Sequence, residues 1–288
     1  MVFSDQQIRT WSQRPVSILP QFTIDIVKEA LADAPRLRWQ NPEVFVQGSY
    51  ANRTHVDALC DVDLVVQLSL PFEEDVTALS SPEREEFFEY YGHSDYGWEE
   101  FREDVAASFR RSFFVGEGKR CLTLQDWDAL WRVPADILPA LEFRRYEMFP
   151  SLLGEVHDEG VYFRAAMKYP IINYPKLHLR RGNEKDRSTA GRFKEIVRAV
   201  KRARSELEFE GAPSYFIECL LFNVPDAEYR ADLGAAFRQV VDWLARNRRK
   251  LEAMRCQNGI IPMFGDHYEA WSTTEADAFI TALAEECG

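Results

Sequence analysis

The chain has 288 residues, 46% of them hydrophobic and 28% charged, which supplies one large core or two modest ones and excludes a disordered polymer. A net charge of -12 excludes a general nucleic-acid coat, because non-specific binding to a polyanion rests on Lys and Arg displacing counterions. Five scattered cysteines, Cys60, Cys121, Cys219, Cys256 and Cys287, lack the spacing of a zinc site and read as reduced thiols.

The opening MVFSDQQIRTWSQRP has no basic-then-apolar signal layout, and no run of about 18 apolar residues is present to span a bilayer, so a soluble, cytoplasmic protein is expected. Phe22 to Asp33 carries apolar residues at helical spacing. Val44 to Gln47 and Val62 to Leu68 read as strands on either side of a Gly48-Ser49 turn. From Glu73 to Asp104, twelve acids against two arginines predict a surface loop and helix. Leu130 to Arg145 reads as a bent strand, since Pro134 and Pro139 disfavour a helix interior. Helical periodicity then dominates, over Arg192 to Leu207, Ser214 to Asn223, Arg230 to Met254 and Thr273 to Glu286, the last with a capping box of Ser272 and Glu275. The expected class is α+β with a helical second part, divided softly between 150 and 175.

Chemistry concentrates in Gln47-Gly48-Ser49 and Asp61-Val62-Asp63. Alternation in a strand puts Asp61 and Asp63 on one face, and two carboxylates heading an apolar strand are costly to desolvate without cations. Hard oxygen ligands of this kind suit Mg2+, which also takes oxygens from a triphosphate. Gly48 admits close approach of a phosphate, and Ser49 with nearby amides can cradle it. Asp136, a single acid in an extended apolar stretch, is the candidate third carboxylate and general base; the other reading is an edge-strand acid facing water. Between Lys176 and Arg204, eleven Lys or Arg stand against three acids, either a triphosphate-binding excess or a solvated basic helix.

These residues, with ADILPALEFRRY, NYPKLH, PSYFIEC, NVPD and FGDHYEAWS, resemble the bacterial cGAS/DncV-like nucleotidyltransferases, or CD-NTases, of the polymerase-β-like superfamily, and within them clade E. The resemblance implies a bilobal protein: a polymerase-β-like core over 1–165 and a helical lobe over 166–288 that completes the NTP cleft. Asp61, Asp63 and Asp136 would bind two Mg2+ ions, for which Mn2+ can substitute, and Gln47, Gly48 and Ser49 would form the phosphate turn. By the same resemblance Lys201 and Ser214 would hold the triphosphate tail and Tyr215 would stack on a base, although Tyr215 also reads as a core aromatic. Asn173 would sit near the acceptor base and favour pyrimidines, or else serve as a turn former before Tyr174-Pro175. The implied activity is synthesis of a cyclic di- or trinucleotide from NTPs, UTP and ATP foremost, as an anti-phage (CBASS) alarm acting on a separate effector. A ubiquitin-transfer-like accessory protein would address Gly288; the other reading of Glu285 to Gly288 is a frayed end. The competing readings are a nucleotidyltransferase with a tRNA or small-molecule acceptor, and a catalytically silent nucleotide-binding scaffold.

Overall fold

The structure, a computed structural model, describes residues 2–15, 21–37, 39–57, 62–92, 94–125, 135–149, 154–165 and 168–287. Asp61 and Gly288 lie outside them. Two compact units result, and their boundaries differ from the expected 1–165 and 166–288. One unit comprises 19–47 and 60–176; the other comprises 1–18, 48–59 and 177–288. The difference arises because an N-terminal segment and the stretch around the Gly48 turn pack with the late helices.

The first unit is built on one seven-stranded sheet. Its strands are β1 (Glu43–Val46), β2 (Val62–Asp75), β3 (Phe114–Glu117), β4 (Leu122–Gln125), β5 (Ala135–Met148), β6 (Val156–Ala165) and β7 (Tyr169–Asn173). The order β1-β2-β5-β4-β3 continues from the far half of β5 through β6 to β7, and only the β2/β5 pair is parallel. Pro139 is tolerated in this long central strand. β4 pairs with β5 only up to Ile137 and β6 only from Leu141, so the missing N–H falls where one neighbour hands over to the next. Gly160 in β6 is required by close approach, since a Cβ there would stand 2.8 Å from the Asn173 carbonyl oxygen.

Helices α2 (Gln21–Ala32), α4 (Ser81–Tyr90) and α5 (Trp98–Phe109) complete this unit. The acid-rich stretch is a largely exposed surface over α4, as its charge predicts, but not over α5. Glu73–Asp75 extend β2, and α5 buries Trp98, Phe101, Val105 and Phe109, with the Trp98 indole N–H donating to the Pro139 carbonyl at 2.8 Å. The acids sit at positions between these aromatics, which net charge alone does not reveal.

The second unit is helical. It contains α1 (Asp5–Ser12), the single turn α3 (Gly48–Ala51), most of α6 (Pro175–Ser188), and α7 (Arg192–Glu206), α8 (Ser214–Phe222), α9 (Leu233–Arg246) and α10 (Thr273–Glu285). Its core joins Val197 and Val200 of α7, Ile217 and Leu221 of α8, Phe237 and Val241 of α9, and Phe279 and Ile280 of α10, with Phe3 and Ile8 inserted from the N-terminal segment. Periodicity located α7, α8 and α10, but α6 went unpredicted, and the expected 230–254 helix breaks at Asn247 into a 3-10 turn over Arg248–Ala253. Ser272 caps α10 by accepting the Glu275 N–H at 3.3 Å.

Candidate active site

Parallel pairing of β2 and β5 sets Asp63 directly beside Asp136. Their neighbours Val62, Leu64, Ala135 and Ile137 are buried on the opposite face, so alternation turns both half-exposed carboxylates to the same side. Asp61, two residues earlier, lies outside the described residues. Thr123, opposite Asp136 on β4, donates its hydroxyl to Asp136 Oδ1 at 3.0 Å. Burial foremost, with the charges of Asp136 and Asp63, pushes the nearby Cys121 thiol up to about 12. Gln47 extends the β1/β2 ladder, its N–H donating to the Asp63 carbonyl at 2.9 Å. Among the described residues no three metal-ligating side chains cluster, and Asp61 is the missing member of the expected set. The two acids present, set in register on neighbouring strands, are hard oxygen donors and fit a magnesium site.

In the helical unit Gly48 adopts φ +70°, a left-handed conformation that suits glycine, and opens the turn holding Ser49. The Ser49 carbonyl accepts the N–H groups of Thr54 and His55 at 2.9 and 3.2 Å. The segment that follows is held by α7: Arg198 Nη1 donates to the Arg53 carbonyl at 2.7 Å, Lys201 Nζ to the Thr54 carbonyl at 3.3 Å, and Arg202 Nη2 to the Val56 carbonyl. Three basic residues of α7, Arg198, Lys201 and Arg202, thus donate to backbone carbonyls of this segment.

Lys201 is buried against the turn. It is 1% exposed, and its ammonium is enclosed by Glu218 Oε1 at 2.5 Å and by the Thr54 carbonyl and hydroxyl at 3.3 Å. Three donors meet three acceptors, so in this structure it presents no free cation to a phosphate. Ser214 opens α8, half-buried, and its Oγ accepts from Arg204 Nη1 at 3.3 Å. Tyr215 is half-buried, with its ring stacked on His178 at 5.2 Å between centroids. Asn173 ends β7, and its Oδ1 accepts the Tyr174 N–H at 2.8 Å, the turn-forming contact. It pairs with Val161, which pairs with Glu142 of β5, six residues beyond Asp136; alternation puts Asn173 on the carboxylates' face, though not beside them.

Residues 180–288 match the family model for the cGAS/DncV-like nucleotidyltransferase C-terminal helical domain. The cyclic UMP-AMP synthase of Rhodothermus marinus is 33% identical over 97% of this chain and 96% of its own length. The chain belongs to the cGAS/DncV-like nucleotidyltransferases. A solved structure of the Rhodothermus marinus CdnE c-UMP-AMP synthase with Apcpp and Upnpp matches this CD-NTase with a TM-score of 0.85 at 31% identity, covering 98% of this chain and 96% of that one. The cyclic dipyrimidine nucleotide synthase CdnE of Cecembia lonarensis is 31% identical over 78% of this chain and 76% of its own. Membership makes the protein an enzyme of nucleotidyl transfer, and no helix among the described residues is long and apolar enough to cross a membrane. Two residues bonded to the candidate side chains, Thr123 to Asp136 and Glu218 to Lys201, escaped the sequence reading of this CD-NTase. Thr123 carried no signal, whereas Glu218, an acid inside the apolar run SYFIECLLF, marked a buried and partnered charge.

Proposed function

We propose that this CD-NTase joins two nucleoside triphosphates, at least one of them a pyrimidine nucleotide, into a cyclic dinucleotide. The observation that carries the reading is the in-register pair Asp63 and Asp136 heading the parallel β2/β5 strands. With Asp61, these residues would hold two Mg2+ ions, which when bound neutralise charge on the triphosphate and acidify the attacking hydroxyl.

The chain's own groups do the rest. Thr123 fixes Asp136 through Oδ1, leaving Oδ2 to accept the proton of the attacking ribose hydroxyl. The oxygen attacks the α-phosphorus in line, the bond to the β-phosphate oxygen breaks, and pyrophosphate leaves; a second displacement closes the ring. Gly48 and Ser49 receive the phosphates, with Ser214 beside them, and the exposed part of Tyr215 stacks on a base. Lys201 serves the turn by holding it. Because Asn173 Oδ1 is engaged by Tyr174, its NH2 group is left to face a base, and uracil offers carbonyl acceptors at O2 and O4. The product would signal to a separate effector in anti-phage defence, and an accessory ubiquitin-transfer-like protein would act at Gly288.

The test is incubation with all four NTPs and Mg2+, phosphatase treatment and mass spectrometry of the resistant product. A uridine-containing cyclic dinucleotide is expected. Incorporation into tRNA or a small acceptor without cyclic product would overturn the reading, and nucleotide binding without turnover would favour the silent scaffold.

A further inference from the structure

The segment that follows Gly48 converges on one buried carboxylate, Glu218 of α8. Asn52 Nδ2 donates to Glu218 Oε2 at 2.9 Å and Thr54 Oγ1 to Oε1 at 2.5 Å, while Lys201 Nζ donates to the same Oε1 at 2.5 Å. On the other side His178 Nε2 lies 3.3 Å from Oε2, and the His178 ring stacks on Tyr215. All four partners apart from Tyr215 are buried: Asn52 at 7% exposure, Thr54 at 1%, His178 at 4% and Lys201 at 1%. One carboxylate thus ties together the end of the phosphate turn, a cation of α7 and the imidazole behind the aromatic residue assigned to the base.

We infer that Glu218 is a positioning residue for nucleotide binding, fixing the Gly48–Thr54 turn and the Tyr215 platform through a single buried hydrogen-bond hub; this rests on the nucleotide-binding reading of that turn. A carboxylate is suited to the place because it only accepts, and every neighbour offers a donor or, for His178, can offer one. Buried and satisfied on both oxygens, such a hub admits one arrangement of its donors. Glu218 touches no reacting atom in this assignment, so its influence falls on how tightly the nucleotide is bound and how well it is aligned.

Donor and acceptor logic makes the inference testable. In Glu218→Gln the new NH2 group must face either Asn52 or the Lys201 and Thr54 side, so donor meets donor. Adding Asn52→Asp restores an acceptor opposite that amide and keeps one carboxylate in the buried cluster. The full-length protein and its variants are compared by NTP-dependent initial rates of product formation and by melting temperature. E218Q is expected to raise the KM for NTP about tenfold, the scale of one lost charge-assisted hydrogen bond, with a smaller change in kcat. N52D/E218Q is expected to return KM to near the wild-type value. A wild-type KM in E218Q overturns the inference, and so does a double variant that regains melting temperature but not KM. If E218Q fails to fold, Thr54→Val removes the hydroxyl's contacts with Glu218, Lys201 and the Ser49 carbonyl while keeping the Lys201–Glu218 ion pair, and an unchanged KM there is equally decisive. If the wild type binds a non-hydrolysable NTP with Mg2+ but makes no cyclic product, only the synthase reading falls, and the same variants are ranked by Kd. A wild type that binds no nucleotide overturns both.

Discussion

Asp63 and Asp136 are in register on neighbouring strands, and like charges placed side by side in this way repel. Stability and activity should therefore move in opposite directions when that charge is removed. Asp136→Asn, which keeps an Oδ1 acceptor for Thr123, is expected to melt at or above the wild-type temperature in EDTA, while incorporation of labelled NTP with Mg2+ falls on the order of a hundredfold or more. Retained incorporation, or a lower melting temperature without metal, would remove the pair from the metal assignment. Glu218 makes a different prediction. Burial acts to raise its pKa, but Lys201 and the His178 contact outweigh burial and hold the carboxyl well below the usual 4.5. A depressed folded value means that stability contributed by the ionised form is present above the unfolded pKa and is lost as pH falls toward the folded one. Acid titration of unfolding below pH 4.5 should thus show a steeper loss in the wild type than in N52D/E218Q only if the restored carboxylate titrates higher; equal acid limbs would show that the two carboxylates are stabilised alike.

At the level of elements, α7 works as a clamp on backbone. Arg198, 8% exposed, donates Nε to the Ser12 carbonyl at 2.6 Å and Nη1 to the Arg53 carbonyl at 2.7 Å. Arg198→Met keeps the stem's bulk but strands two carbonyls, which should cost about 1–3 kcal/mol per group left without a replacement partner, read as a lower urea midpoint at unchanged slope. A midpoint equal to wild type would mean that water takes over both acceptors. The sequence displayed the periodicity of α7 and its charge but not what the charge meets, because carbonyls of a distant segment leave no mark on a helical wheel. Elsewhere the same limit recurs. The strand carrying Asp63 and the one carrying Asp136 were legible from β-branched residues and alternation, and their parallel register was not, since it depends on 72 intervening residues of chain. β6 and β7 went unread because His157, Asp158 and Glu159 interrupt the apolar pattern, and Glu159 is committed to Gln67 at 3.2 Å and Lys176 at 2.6 Å. Asn173 was weighed both as a base reader and as a turn former; its Oδ1 takes the second role, and the first rests on the amide that remains.

Over the whole molecule the two units draw on interleaved stretches of sequence, so the order of residues does not predict which parts share stability. The N-terminal segment is the sharpest case. Ser4 and Gln7 form a reciprocal cap on α1, Ile8 is fully buried, Phe3 is packed edge-on to Phe237, and the Phe3 N–H donates to the Glu286 carbonyl at 2.9 Å. The chain's first helix is therefore part of the same core as its last. Ile8→Ala should destabilise that core by about 2–5 kcal/mol, the range for truncating a buried aliphatic side chain. If the units are separate cooperative bodies, hydrogen exchange should rise in α1, α7, α9 and α10, which share the Ile8 core, and stay at wild-type rates in β2 and β5. Because Asp63 and Asp136 are carried by β2 and β5, their register would then survive the loss, and the variant should keep its carboxylate pair while losing grip on the Gly48 turn. Equal acceleration in both sets of amides would instead show one cooperative body, in which the N-terminal segment supports the carboxylate strands as much as the helices it touches.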